Sequence, residues 1–155
     1  MQENFLFLHS ILRYFILLFA LIVTVQSLIG MMGKKRFMKI NKQMLLVLMI
    51  FCDIQLLLGF VLYYTKIIAT GVLSGGGVMK DTYSRFYAVE HTVAMIIGIV
   101  CVHLAYMFAK QNMDNDRKFR KLFWCSFIAL GVFMAMIPWE GKQVVGRPNI
   151  PHLSR

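Results

Sequence analysis

The residues that could do chemistry in this chain are the ionisable and amide side chains that lie inside long apolar runs. They are, in chain order, His9, Arg13, Asp53, Gln55, Glu90, His91 and His103. Charged and polar side chains within a membrane span are costly, so they usually face the interior of a helix bundle and mark a site. The first three apolar runs therefore hold the candidate functional residues.

Two of the histidines have the spacing of a cofactor site. His9 and His91 each lie about one turn from the same end of their predicted helices, the first and the third. In an up-down-up-down bundle these helices face each other across the core. Two imidazoles that face each other at one depth predict axial ligands of a haem b iron.

Arginines near this pair could complete the cofactor site. Arg13 lies four residues after His9 and so shares its helix face. Because arginine pairs bidentately with carboxylates, Arg85 and Arg147 are the predicted partners of the haem propionates. The sequence thus predicts a haem site with two histidine ligands and three arginines.

The same residues also fit a purely structural cluster. An uncompensated guanidinium at the depth of Arg13 would be expensive, and Glu90 is its expected partner, with Asp53 as the deeper alternative. A metal ion or a quinone pocket stays open as well. Zinc would need more ligands, and only Glu90 and His152 are available at that end.

A second polar pair is predicted deeper in the membrane. Asp53 and Gln55 point about 160° apart on a helix, so they face different surroundings. His103 lies twelve residues after His91, about 18 Å along the axis. Asp53 and His103 could meet if the second and third helices pack directly, either as a structural hydrogen bond or as a proton relay.

The elements that must position these residues are four apolar runs. Each is long enough to supply the roughly 20 residues that cross a bilayer, and in lipid such runs must be helical. We expect one domain that is an all-α, four-transmembrane-helix up-down-up-down bundle. The predicted helices span about 5–32, 44–64, 86–109 and 122–138, and the tail 139–155 is expected to be irregular.

The charge pattern predicts the orientation. The net charge is +10, and 59% of the 155 residues are hydrophobic. Residues 34–42 carry five basic side chains and no acid, and residues 110–121 carry five basic side chains and two acids. The positive-inside rule places both segments in the cytoplasm and both termini outside. The basic residues therefore indicate contact with lipid headgroups rather than with nucleic acid.

Four stretches carry a family resemblance: "LHSILRY", "DIQLLLGFVLYY", "RFYAVEH" and "IPWEGKQVVGRP". Here the chain resembles small bacterial four-helix membrane proteins labelled cytochrome b-like, over nearly its whole length. The resemblance implies haem b on His9 and His91, and electron transfer in the inner membrane. The second helix has Asp53 instead of a histidine, and the fourth helix has no histidine, unlike the four-histidine, two-haem cytochromes b.

The leading prediction is therefore a small b-type cytochrome or haem-binding electron-transfer subunit, working with quinone or other membrane redox subunits. One rival is a non-enzymatic accessory or assembly subunit of a larger inner-membrane complex, with no cofactor. Another is a proton-coupled carrier that uses Asp53 and His103. Whether the protein is an enzyme stays open. The cysteines share no CxxC spacing, which argues against a zinc knuckle or a c-type haem.

Overall fold

A computed structural model of the protein describes residues 2–71, 77–141 and 144–146. These residues form helices and no strand, which confirms the all-α class with four long apolar helices. The helices are α1 (Gln2–Met32), α2 (Lys39–Tyr63), α3 (Thr82–Lys110) and α4 (Asn115–Met136). A π-helical turn, Tyr64–Ile68, extends α2, and a second one, Phe86–Glu90, lies inside α3.

All four helices begin earlier than the hydropathy pattern predicts, the first by about three residues at Gln2. The predicted starts of the second, third and fourth helices were 44, 86 and 122, and the observed starts are Lys39, Thr82 and Asn115. Hydropathy reports only the part of a helix that lies in hydrocarbon, whereas the backbone hydrogen bonds continue through the charged turns at the membrane surface. The described part of the predicted tail, residues 139–141 and 144–146, is irregular as expected.

The helices pack in a ring that follows the chain order. Helix α1 packs along α2 and α4, and α3 packs along α4 and α2, so α1 and α3 lie diagonally across the bundle. The contact between α2 and α3 is the least extensive of the four. The predicted diagonal arrangement of the first and third helices is therefore present, and the bundle is loosest between α2 and α3.

Contacts between segments define two ends of the bundle. At the linker end, the Phe37 amide in the α1–α2 linker donates to Oδ1 of Asn115 at 3.1 Å, and the Phe37 ring meets Phe119 at 5.3 Å. At the histidine end, His9 meets His91, which in turn contacts the carbonyl of Met136. The starts of α1 and α3 and the end of α4 therefore lie together.

All four helices are long and apolar enough to cross a membrane. Their inward faces form one core of aliphatic and small side chains, and large apolar side chains such as Leu57 and Phe60 are exposed on the outside. Apolar residues on both the inside and the outside are what a lipid-embedded bundle requires. The protein is a multi-pass membrane protein.

Asp81 fixes the start of α3 and thereby positions the residues that follow. Its Oδ2 accepts a hydrogen bond from the Ser84 amide at 2.8 Å, which caps the helix N-terminus. Hydrogen bonds from the side chain and the amide of Ser84 lower the pKa of Asp81 below its usual value.

We expect this cap to be lost only in acid. A carboxyl whose pKa is lower in the folded protein stabilises the fold above its unfolded pKa of about 3.9, and this stabilisation is lost as the pH falls through the lowered value. The NMR shift of the Ser84 amide should therefore move in a step below about pH 3.9. Asp81→Asn should keep the cap and lose the step. A step at higher pH in the wild-type protein would contradict this assignment.

Close packing of α3 on α4 depends on Gly98. A Cβ atom added there would clash with Cε1 of Phe133, so the ring or the helix backbone would have to shift. Gly131, on α4, has no atom within 4 Å of such a Cβ. Gly98→Ala should therefore destabilise the bundle by about 1–3 kcal/mol, as overpacking does. Gly131→Ala should leave the stability of the bundle unchanged. Equal melting temperatures of the two variants in detergent would contradict this account.

Candidate functional site

His9 and His91 face each other at the histidine end of the bundle. Their ring centroids are 6.5 Å apart, and the ring planes are inclined by 62°. The two residues come from diagonal helices, so their rings meet across the bundle. The structure thus brings together the two histidines that the sequence pairs.

His91 is oriented by three surrounding groups. Its Nδ1 lies 2.9 Å from the carbonyl oxygen of Met136 at the end of α4. A carbonyl can only accept, so Nδ1 carries the proton and, in the neutral ring, Nε2 carries the lone pair. The rings of Phe86 and Tyr87 lie 5.8 and 6.2 Å from the imidazole. Donation of one ring N–H to a backbone carbonyl is typical of histidines that bind metals.

The π turn Phe86–Glu90 sets the direction in which His91 points. A π turn adds one residue to the helix, which rotates the preceding side chains relative to those that follow. The hydroxyl of Thr92 donates to the carbonyl of Tyr87 at 3.0 Å within this widened turn. Such turns occur frequently at functional sites, and this one immediately precedes the candidate ligand.

His9 is positioned by α2. The side-chain amide of Gln55 donates to the His9 carbonyl at 2.9 Å. A Cβ atom at Gly59 would lie 3.4 Å from Cε1 of His9, so the glycine lets the imidazole approach the α2 backbone. Gly98 of α3 is covered by Phe133 and opens no comparable space.

The separation of the rings matches ligation of one metal ion. With metal–nitrogen bonds of about 2 Å, imidazoles on opposite sides of an ion have centroids about 6.3 Å apart. The observed 6.5 Å is within a few tenths of an ångström of that value. The donor set itself, two imidazoles, suits haem iron. The residues present therefore fit the group.

A cavity of about 750 Å³ lies beside the histidine pair. Its walls come mainly from α1, α2 and α3, and most of the lining is apolar. This volume lies within the range of about 300–1,000 Å³ that is usual for small-molecule and cofactor sites. Among the described residues that line it, Arg13 and Lys66 are cations and none is acidic.

The cavity also has buried polar walls. Ser10 and Arg13 are 7% and 8% exposed, and Nη2 of Arg13 donates to the hydroxyl of Tyr14 at 3.2 Å. Oε1 of Gln55 is buried and accepts no hydrogen bond within the described part of the chain. The structure adds Ser10 and Lys66 to the site. Ser10 could have been found from its place between His9 and Arg13, whereas nothing local distinguishes Lys66.

The predicted Arg13–Glu90 pair is wrong. Oε1 of Glu90 lies 2.7 Å from Nε of Arg85, and both side chains are partly exposed. The π turn places these two side chains together at the surface, five residues apart along the same helix. Arg85 therefore does not line the cavity, and Lys66 does. Arg147 and His152 lie outside the described residues.

Asp53 and His103 form a separate pair. Nε2 of His103 lies 3.2 Å from Oδ1 of Asp53, so the two residues meet across the α2–α3 contact, as the sequence allowed. Gln55 lines the cavity and Asp53 does not. The expected divergence of these two residues of α2 is confirmed.

Comparison of this chain with protein-family models, with curated proteins and with solved structures finds no match. The case for a function therefore rests on the geometry of the site.

The tail is tied to the candidate site by Tyr87. Its hydroxyl donates to the carbonyl of Val145 at 2.7 Å. Tyr87→Phe should remove this bond, which contributes about 0.5–1.5 kcal/mol, and should speed hydrogen exchange of the 144–146 amides. Tyr64→Phe is the control, since Tyr64 is 56% exposed on α2's π turn. Equal exchange in the two variants would show that the bond does not fasten the tail.

Proposed function

We propose that this protein is a small membrane cytochrome that binds haem b through His9 and His91 and transfers electrons. The observation that carries the proposal is the pair of imidazoles 6.5 Å apart at the edge of a 750 Å³ apolar cavity. Haem, when bound, supplies reversible one-electron chemistry at its iron. The resemblance to cytochrome b-like membrane proteins agrees with this assignment.

The chain's own residues would orient the ligands and exclude water. The Met136 carbonyl keeps the proton of His91 on Nδ1. The lone pair of Nε2 would then bind the iron. The Gln55 side chain holds the backbone at His9 by donating to its carbonyl, and Gly59 leaves room for the His9 imidazole. The apolar walls keep the surroundings at low polarity, which is one of the factors that set a haem's reduction potential.

Positive charge on the cavity wall supports an anionic cofactor. Arg13 is 8% exposed, and Lys66 lies on the π turn that extends α2. Haem b carries two carboxylates, and arginine and lysine are the side chains that compensate such groups. We assign this role to Arg13 and Lys66, in place of the predicted Arg85. Arg147 stays a prediction.

The proposed setting is the inner membrane of a bacterium. The basic segments 34–42 and 110–121 lie at the linker end, so the positive-inside rule assigns that end to the cytoplasm. Both termini and the histidine end would then face outward. Electrons would be exchanged near the outer surface with quinone or with another redox subunit.

The rival function is an accessory subunit of a larger membrane complex with no cofactor. One observation favours it: His91 is already tied to Met136 on the neighbouring helix, so this end of the bundle is cross-linked without a ligand. The two functions differ in visible absorbance, because a bundle held only by polar contacts has no chromophore.

The deciding experiment is a dithionite-reduced minus oxidised visible spectrum of protein purified from haem-replete cells, with a pyridine haemochrome assay. We expect a sharp α-band and about one haem per chain, as one bis-histidine site predicts. His9→Ala and His91→Ala should each abolish the band. Lys66→Gln should lower haem retention, because it removes a cation from the cavity wall.

His103→Ala is the matched control, since this histidine lies outside the cavity. It should retain the haem. Helical content and elution volume must be unchanged in every variant that is scored. A folded, colourless wild-type protein would overturn the cytochrome assignment and favour the accessory subunit.

A further inference from the structure

We infer that the cavity beside the histidine pair opens laterally to the lipid bilayer between α2 and α3, and that its ligand enters there as a membrane-dissolved molecule with an acidic group. This inference deepens the proposed function, and only the identity of the ligand as haem b rests on that function. The opening itself rests on the exposure of the residues that line the cavity and on the way in which α2 and α3 are held.

The lateral opening is bordered by residues that line the cavity and also face lipid. Leu56 and Phe60 of α2 and Ile96 of α3 line the cavity, although they are 42%, 66% and 46% exposed. Residues with this much exposed surface lie at the rim of the cavity, so the cavity reaches the bundle surface between them. Leu56 and Phe60 are about one helical turn apart and form one side of the opening, and Ile96 belongs to the other. We call these three residues the portal.

Neighbouring residues with similar exposure do not line the cavity. Leu57 and Ile97 are 68% and 51% exposed and lie next to portal residues in the sequence, yet neither of them lines the cavity. The portal residues are therefore distinguished by their orientation toward the cavity and not by their exposure. Because the bilayer core holds no water, an opening at this level of the span meets acyl chains.

The seam between α2 and α3 is open because each helix is fastened to its other neighbour. On α2, the Gln55 side chain donates to the carbonyl of His9 in α1 at 2.9 Å. On α3, the missing side chain of Gly98 lets the Phe133 ring of α4 pack against the helix backbone. Contacts between α2 and α3 are accordingly the least extensive of the four neighbouring pairs. These close approaches thus lie away from the portal.

The Asp53–His103 contact marks the closed end of the seam. Nε2 of His103 lies 3.2 Å from Oδ1 of Asp53, which joins the two helices. Leu56 lies three residues from Asp53 toward the histidine end, about 4.5 Å along the axis. Ile96 lies seven residues from His103 in the same direction, about 10 Å along the axis. The portal therefore lies in the half of the span that holds the histidine pair.

Lys66 indicates the chemistry of the ligand. It lines the cavity six residues after Phe60, about 9 Å farther along the axis and near the helix end at Ile68. A membrane-dissolved amphiphile keeps its charged group at the headgroup level and its apolar part in the hydrocarbon. When its charged group is at the depth of Lys66, its apolar part is at the depth of the portal. An acidic group suits this position, because lysine is a cation and Arg13 adds a second one on the cavity wall.

The test is photolabelling of the full-length protein, purified without haem, in phosphatidylcholine vesicles that contain palmitic acid with a diazirine in its chain. Ser10 and Ile16 line the cavity and are buried, so the reagent reaches them only after it has entered the cavity. We expect adducts on these two residues, mapped by mass spectrometry, in addition to adducts on the lipid-facing Leu57. Adducts on lipid-facing residues alone would overturn the inference.

The route is tested by a matched pair of tryptophan variants. Ile96→Trp adds bulk to the portal, and Ile97→Trp adds the same bulk at an adjacent position that does not line the cavity. The cavity adducts should be lost in Ile96→Trp and retained in Ile97→Trp, while the Leu57 adduct stays in both. Leu56→Trp narrows the portal from α2 and replaces Ile96→Trp if that variant does not fold. Equal labelling of the cavity in the portal variant and its control would contradict entry between α2 and α3.

The acidic group is tested with the matched palmityl alcohol, which carries the same diazirine. Cavity labelling should be weaker with the alcohol than with the acid, because the alcohol has no charge to pair with the cations of the cavity wall. Labelling by the acid should also be weaker in Lys66→Gln. Equal labelling by the acid and the alcohol would contradict the assigned ligand class.

Addition of haem separates this inference from the proposed function. Haem b and fatty acids both carry a carboxylate on an apolar body, so haem added before irradiation should block the cavity adducts. Cavity adducts that persist beside haem would leave the portal in place, assign the cavity to a fatty acid and overturn the haem site. A normal haem spectrum without cavity adducts in the haem-free protein would overturn the portal and leave the cytochrome assignment intact.

Discussion

Hydrocarbon offers no water to hydrogen-bond, and the arrangement of this bundle follows from that constraint. Every backbone polar group within a span must find its partner inside the protein, and an unpaired polar side chain there is costly. Several side chains in the spans donate to backbone carbonyls, among them Gln55 to His9, His91 to Met136 and His103 to Ile99. The first two of these bonds join different helices, so they fix which helix ends meet as well as satisfying the groups.

Helix α2 serves two sites because its successive residues point in different directions. Gln55 and Gly59 face α1 and shape the cavity beside His9. Asp53 turns toward α3 and meets His103 at the bundle surface. The limited contact between α2 and α3 leaves room for the cavity on the histidine side of this pair. Loose packing at one seam thus accommodates both sites.

The two sites differ in the chemistry that they can support. The histidine end combines two imidazoles, an apolar cavity and two cations, and the proposed haem site rests on this set. The Asp53–His103 pair brings a carboxylate oxygen and an imidazole nitrogen within 3.2 Å of each other at the bundle surface. Helix α3 carries one histidine of each site, twelve residues or about 18 Å apart. A rigid helix therefore fixes the distance between them.

The sequence alone was sufficient for the fold class and for the number of spans, because composition and run length decide whether a segment can cross a bilayer. It was also sufficient for the pairing of His9 with His91 and for the possible meeting of Asp53 with His103, since helical periodicity and depth follow from residue number. The observed starts at Lys39, Thr82 and Asn115 come earlier than the predicted ones, because hydropathy does not detect the charged helical turns outside the hydrocarbon.

Only the tertiary structure decided which polar groups meet. The partner of Glu90 is Arg85 and not Arg13. A π turn that the sequence pattern did not predict brings the side chains of Arg85 and Glu90 together. The Met136 carbonyl that orients His91 is a main-chain group, which residue types do not reveal. Lys66 joined the cavity through the extension of α2. Periodicity gives the direction of a side chain within one helix, but contacts between helices depend on how the helices are rotated and set against one another.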